Sequence, residues 1–284
     1  MNKIKLLLCF ALMLCSELSF GNELAAGTCK KYQYKGIEYT FRYCPPNSRF
    51  PKGFWLGETE VTLQMYKQFI EENPDYQSPT IIGGLIIPES KRDNSPKEYS
   101  WRCVGFEQSD LHPVTLISAQ DAIAFCKWLS KKLNVSIRLP RYREWIYAAS
   151  EGDDDIDSFV ITEKNFFKYG NFADKDYFEV FYKNRDVEYI TVVEYSDGYV
   201  YTAPVKSYLP NKWGLYDMFG NVSEITLPPG IMRDDVWLYG GSWFEKPRVL
   251  LVGPSHKPET TRFYTRPINR ADNHHGFRLL LENN

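Results

Sequence analysis

Residues 202–224, TAPVKSYLPNKWGLYDMFGNVSE, leave little room for regular secondary structure. Pro204 and Pro210 fix φ, while Asn211 and Gly214 accept the left-handed angles of tight turns. Between them stand Val205, Leu209, Trp213, Leu215, Tyr216, Met218 and Phe219, an apolar set for a core. Turn chemistry and core residues therefore share one stretch. Gly220 and Asn221 then bring backbone carbonyls and an amide side chain together, and the Glu224 carboxylate follows. Oxygen-rich loops of this kind suit a hard cation such as calcium; the same residues also make a plain turn with Glu224 in water.

The chain has 284 residues and a formal net charge of −2, enough for one large domain or two small ones. So balanced a charge argues against nucleic acid and against an anionic membrane surface as partners. Aromatic residues reach 16%, and tyrosine and tryptophan give irregular folds large contacts with polar handles. Lys3 and Lys5 precede an apolar run ending at Leu14, and Ser19-Phe20-Gly21 offers small residues for cleavage. Residues 1–21 therefore read as a signal peptide, with the mature start near Asn22 and a periplasmic or secreted location. No segment of the mature chain has the length of apolar sequence that spans a bilayer. Cys9 and Cys15 fall in the signal, leaving Cys29, Cys44, Cys103 and Cys126. After export an even count reads as disulfides, with three pairings open.

Tyr32, Tyr34, Ile37, Tyr39, Phe41 and Tyr43 alternate around Lys35-Gly36, which predicts a β-hairpin whose ends a Cys29–Cys44 bridge would clip. Thr62 is placed to cap a helix with Leu63, Tyr66, Phe69 and Ile70 on its apolar face, and Ser118 to cap one carrying Ala122, Phe125, Cys126 and Leu129. Arg138-Leu139-Pro140 leads to a further helix with Trp145 and Ala148. Glu58 and Glu60 are candidate site residues that read more simply as surface or turn residues, and His112, a candidate metal ligand, reads more simply as a hydrogen-bonded structural histidine. Residues 73–105, rich in Pro, Gly and Ser, form a long excursion and a candidate lid. The acidic run GDDDID reads as a solvated loop. Tyr, Val, Ile and Phe alternate through residues 174–194, which predicts a hairpin insertion.

The 202–224 run resembles the signature of the formylglycine-generating enzyme, or sulfatase-modifying-factor, family, TxPVxxxxPNxxGLYDMxGNVWEW. The match is carried by Thr202, Pro204, Val205, Pro210, Asn211, Gly214 to Met218, Gly220 to Val222 and Glu224. Ser223 and Ile225 stand where the family has tryptophan. Other blocks follow in order: FWLGETEVT from Phe54, HPVTLISAQDAIAFCKWL with RLPRYREWIYAA, YGGSWF from Tyr239, and Arg262, Arg266, Arg270 and Gly276-Phe277-Arg278 at the close. The resemblance implies an α+β, C-type-lectin-like fold with little regular secondary structure over residues 51–284, and residues 22–50 as a disulfide-clipped hairpin extension. It implies two structural calcium sites, one from Asn171, Phe172, Asp197 and Tyr199 and one from Gly220, Asn221, Val222 and Glu224. The family cysteine matching Cys126 pairs with one after GFR; Leu279 stands there, so Cys103 is the remaining partner for Cys126.

Oxidases of the family hold copper with two cysteines shortly after GGS, because soft thiolates suit Cu(I). Glu245 and Leu250 occupy those places, and no cysteine follows Cys126. The sequence therefore argues against copper and against formylglycine formation, leaving Ser242 and Glu245 as the catalytic candidates. Glu245 with two of His256, His274 and His275 would resemble a two-histidine, one-carboxylate iron site, although adjacent histidines on an extended segment face opposite ways. Two expectations follow. One is a calcium-stabilised binding or accessory module, with Trp243, Arg262, Tyr264 and Arg266 recognising a peptide, protein or small ligand. The other is an exported metal-dependent oxidoreductase acting on a peptide, a siderophore precursor or a protein side chain.

Overall fold

Lys35 and Gly36 both take positive φ, 47° and 82°, which matches a two-residue hairpin turn to the right-handed twist of its strands. The turn joins Cys29–Tyr34 (β1) to Ile37–Cys44 (β2). In the computed structural model, residues 24–92, 98–153, 166–183, 195–228, 234–246 and 264–283 are described. The segment read as a signal peptide, Leu250, His256, Arg262 and most of the acidic run lie outside them.

β2 pairs antiparallel with Phe54–Glu60 (β3), with Phe41 opposite Gly57 and Tyr43 opposite Trp55. With Arg278–Glu282 (β11) and Ile137–Arg138 (β5) these form a five-stranded sheet, ordered β1-β2-β3-β11-β5. The hairpin expected as an N-terminal extension is thus one side of the central sheet. Period-two alternation gives the sheet two buried faces. Tyr39, Phe41, Tyr43, Trp55, Leu279 and Leu281 look toward helices Leu63–Glu72 (α1) and Ala119–Leu133 (α2). Cys44, Phe54, Leu56 and Leu280 look toward Tyr142–Ala149 (α3) and the GLYDMFG loop.

The helices start where their caps predict. Thr62 accepts from Met65 N at the head of α1, and Ser118 and Asp121 form a reciprocal capping box on α2. Asp121 also receives the Tyr76 hydroxyl at 2.8 Å, which ties the start of the 73–105 excursion to the core. Within that excursion Ile81–Ile82 (β4) pairs with Arg270–Ala271 (β9). A second sheet, ordered β10-β6-β7-β8, comprises Ser223–Thr226 (β6), Asp235–Tyr239 (β7), Tyr264–Pro267 (β8) and His275–Gly276 (β10). No helix of the described residues is long and apolar enough to cross a membrane.

Three sequence expectations are corrected here. Both disulfides are absent: Cys29, Cys44, Cys103 and Cys126 are free. Cys29 sits directly opposite Arg42, so Cys44 is its diagonal neighbour. A diagonal pair lies about 7–8 Å apart, beyond disulfide reach. Cys126 is buried in the core while Cys103 is half-buried in a turn paired with Ser100, and burial pushes the Cys126 thiol up. Glu58 and Glu60 are not surface residues but 4% and 1% exposed. Of residues 174–194, the described part holds a helix, Lys175–Tyr182 (α4), whose N-cap Asp174 accepts from Asp176 N and Tyr177 N, and residues 184–194 lie outside the described residues. His112 is as read: Ser109 N donates to its Nδ1 at 3.0 Å, and burial lowers its pKa.

Candidate functional site at the junction of three loops

Three loops, at residues 170–174, 220–224 and 240–245, meet backbone to backbone. Asn221 N donates to Asn171 O at 2.8 Å and Gly220 N to Gly240 O at 2.8 Å. Trp243 N donates to Asn221 O and Ala173 N to Glu245 O, each at 3.0 Å. The approach is so close that a Cβ on Gly170 would lie 1.8 Å from Phe219 O, and one on Gly220 would lie 2.3 Å from Asn171 O. That is why glycine precedes asparagine in both YGN and FGN.

Beneath the junction lies a buried charge cluster. Arg278, fully buried, donates from Nε to Glu224 Oε2 at 2.6 Å and from Nη2 to Glu224 Oε1 at 2.5 Å. Its remaining donors reach the carbonyls of Gly57, Tyr216 and Asp217. Trp145 Nε1 adds a bond to Glu224 Oε2 at 2.8 Å. Glu60 and Asp217 complete the cluster. Burial, with the nearby Asp217 charge, holds Glu60 well above the usual carboxylate range. Burial pushes Asp217 up to about 6, with Glu224 adding and the Lys206 N–H and Arg278 opposing. Glu60 Oε2 and Asp217 Oδ1 have no other partner, so a proton held between the two carboxyls satisfies both.

The sign of that arrangement is testable. A carboxyl raised in the folded state contributes stability below its ordinary pKa, 3.8, and loses it as pH rises through about 6. Asp217→Asn, whose amide cannot ionise and whose type tolerates the φ of 54° at this position, should match wild type near pH 4. Above pH 6 it should exceed wild type by an amount on the order of 2 kcal/mol. Chemical denaturation across that range measures it; an Asn variant that tracks wild type at every pH would exclude the shared proton.

Ser242 and Glu245, the catalytic candidates, lie in the third loop. Both are buried, and Ser242 Oγ and Glu245 Oε2 lack hydrogen-bond partners. Burial raises Glu245 to about 7, so its carboxyl can hold or release a proton near neutrality. Trp243 is corrected: it is fully buried, packed edge-on against Tyr201 and Phe106, and presents no recognition surface.

The sequence profile of the Sulfatase-modifying factor enzyme 1-like domain matches residues 23–283. The chain belongs to that family. The mouse formylglycine-generating enzyme is 32% identical over 61% of this chain, which spans 48% of that relative's length. The mouse protein named inactive C-alpha-formylglycine-generating enzyme 2 is 30% identical over 78% of this chain and 73% of its own. Among solved structures, PvdO from Pseudomonas aeruginosa superposes with a TM-score of 0.62 over 92% of this chain and 100% of its own; at 19% identity the likeness is one of fold.

Against the family pattern, the two expected calcium sets differ. In the first, Asn171 Nδ2 donates to Tyr201 O at 2.6 Å while its Oδ1, fully buried, has no partner. Asp197 accepts from Tyr199 N and from the Tyr208 hydroxyl, and its carboxylate clusters with those of Asp174 and Asp176 within 4.8 Å. Burial raises Asp197 to about 6. A free buried oxygen and an undercompensated carboxylate fit a cation. In the second set the side chains do not fit. Both Glu224 oxygens are taken by Arg278 and Trp145, and Asn221 Oδ1 accepts from Ala203 N at 2.8 Å. Of the ligand-binding candidates, Tyr264 lies on β8 and Arg266 pairs with Asp272 at 3.2 Å, its side chain 39% exposed.

Sequence reasoning missed Asp174, Asp217 and Asp272 and left Glu60 as one possible site residue. Only Asp174 carried a local signal, since an aspartate ahead of aromatic residues spaced by four is a cap.

Proposed function

We propose that this chain is an exported, calcium-stabilised binding or accessory module of the family, recognising a peptide or small ligand, without copper chemistry. What carries the proposal is Glu245. A buried carboxyl stands where the oxidases need a soft thiolate, and no cysteine follows Cys126 to replace it. The donor set does not fit Cu(I). Incubated with copper, oxygen and a cysteine peptide, the purified protein is expected to yield no formylglycine by mass spectrometry; turnover would overturn the proposal.

Asn171 and Asp197 would hold the calcium with their side chains, and Phe172 and Tyr199 with their carbonyls. The ion would supply charge that neutralises Asp197 and pins the loops around it. Support comes from the free Asn171 oxygen and the raised Asp197. Calorimetric titration of chelated protein should give one calcium per chain, lost in Asp197→Asn.

The ligand face moves from Trp243 to a cleft of about 600 Å³ beside Asp197. Phe167, Tyr195, Tyr199 and Tyr208 line it with aromatic rings, Lys168 adds an ammonium group, and the Lys206 ammonium is paired with Glu58. Half-exposed rings beside the Lys168 ammonium suit an extended peptide bearing aromatic residues.

A further inference from the structure

We infer that Asp272, His274 and His275 form a binding site for one divalent first-row transition-metal ion of the zinc or iron(II) class. One ligand atom from each lies within 4.8 Å of the others, and the three are 4%, 7% and 3% exposed. The sequence expectation that neighbouring histidines diverge fails here because residues 272–274 form a turn, and only His275 enters β10. Their rings therefore converge, with centroids 4.1 Å apart.

The geometry favours an ion over a hydrogen-bonded pair. His275 Nδ1 stands 3.4 Å from Asp272 Oδ2. That exceeds the ~2.7–3.2 Å of an N–H···O bond. It matches the edge, about 3.3 Å, of a tetrahedron around a metal with bonds of about 2.0–2.1 Å. His274 Nδ1 is buried with no hydrogen-bond partner, which is costly unless something else occupies its lone pair. Two imidazoles and a carboxylate suit zinc or iron(II), whereas calcium takes oxygen ligands and Cu(I) takes sulfur.

The surroundings hold the three groups in place. Gly84 N donates to Asp272 Oδ1 and Arg266 Nε to Oδ2, leaving that oxygen a second lone pair. Asn273, between the ligands, accepts from Ile86 N at 3.0 Å and donates to Val104 O at 3.2 Å. Ser223 N donates to His274 O at 2.9 Å, and the Phe244 ring covers His274 at 4.9 Å. Such outer partners fix ligand orientation at metal centres. Three protein ligands leave a coordination position open. The site shares no residue with the calcium set, so the two stand or fall separately.

Cobalt(II) and zinc are the probes. Chelator-stripped full-length protein is titrated with cobalt(II), followed by visible absorption, and zinc is then added. Wild type should take up one cobalt with the intense bands of low-coordinate geometry. Zinc should displace it and excess calcium should not. His274→Asn and His275→Asn should each abolish stoichiometric uptake. Should a histidine variant fail to fold, the Tm of wild type must still rise with zinc concentration, as for any ligand bound only by the native state. Absence of uptake by wild type, no rise in Tm, or uptake that persists in both folded histidine variants overturns the inference.

Discussion

Arg278→Met is expected to cost about 3–5 kcal/mol of stability, because it leaves the buried Glu224 carboxylate without its counter-charge. Arg278 is fully buried and meets Glu224 through two donors, and its others reach three carbonyls. Removing it takes a donor from all three carbonyls and leaves Glu224 with Trp145 alone, in a cluster that already holds Glu60 and Asp217. A loss of that size rivals the whole stability of an ordinary domain, about 5–15 kcal/mol, so the variant sits at the edge of folding. Urea unfolding measures it. Arg278→Lys keeps the charge but not the planar fork, and should fall between the two. A drop under about 1 kcal/mol in the Met variant would mean that Glu224 is neutral or hydrated, and that the cluster does not hold the sheet to the loops.

How far the sequence could be read depended on how local each determinant is. The Lys35-Gly36 turn, the Thr62 and Ser118 caps and the alternation of β2 are set within a few residues, and each was legible. Glu60 was not, because its burial depends on groups far along the chain, Asp217 and Arg278. For the Cys29–Cys44 pair the difference is one of register: a shift of two residues puts Cys44 diagonal to Cys29 rather than opposite it. In α4, Tyr177, Phe178, Phe181 and Tyr182 stand at i, i+1, i+4 and i+5, a helical spacing and not an alternating one, and the Asp174 cap starts the helix. His274 and His275 converge because Asn273 is clamped by Ile86 and Val104, contacts that no local pattern announces. Of the candidate site, the first calcium set is an expectation from resemblance, while the saturation of Glu224 was visible only once Trp145 and Arg278 were in place.

Gly170→Ala is expected to cost more than ~2 kcal/mol and to weaken the calcium binding proposed at Asn171, although the change adds a single methyl group. Gly170 has no left-handed φ, so its backbone angle does not require glycine. What requires it is Phe219 O, 1.8 Å from the position of the new Cβ, and that atom is backbone that cannot turn aside. The 170–174 and 220–224 loops must then separate, which breaks the Asn221 N to Asn171 O bond and shifts the Asn171 side chain. Gly198→Ala provides the contrast. Its φ is +84°, but a Cβ there meets nothing within 4 Å, so only left-handed strain of about 1–2 kcal/mol is added. Gly220→Ala combines both penalties, with φ at +76° and Asn171 O at 2.3 Å, and should be the worst of the three. Thermal unfolding and calcium titration of the three variants give the ranking. If Gly170→Ala proves no worse than Gly198→Ala, the loops are not in backbone contact, and Asn171 is positioned by something other than their junction.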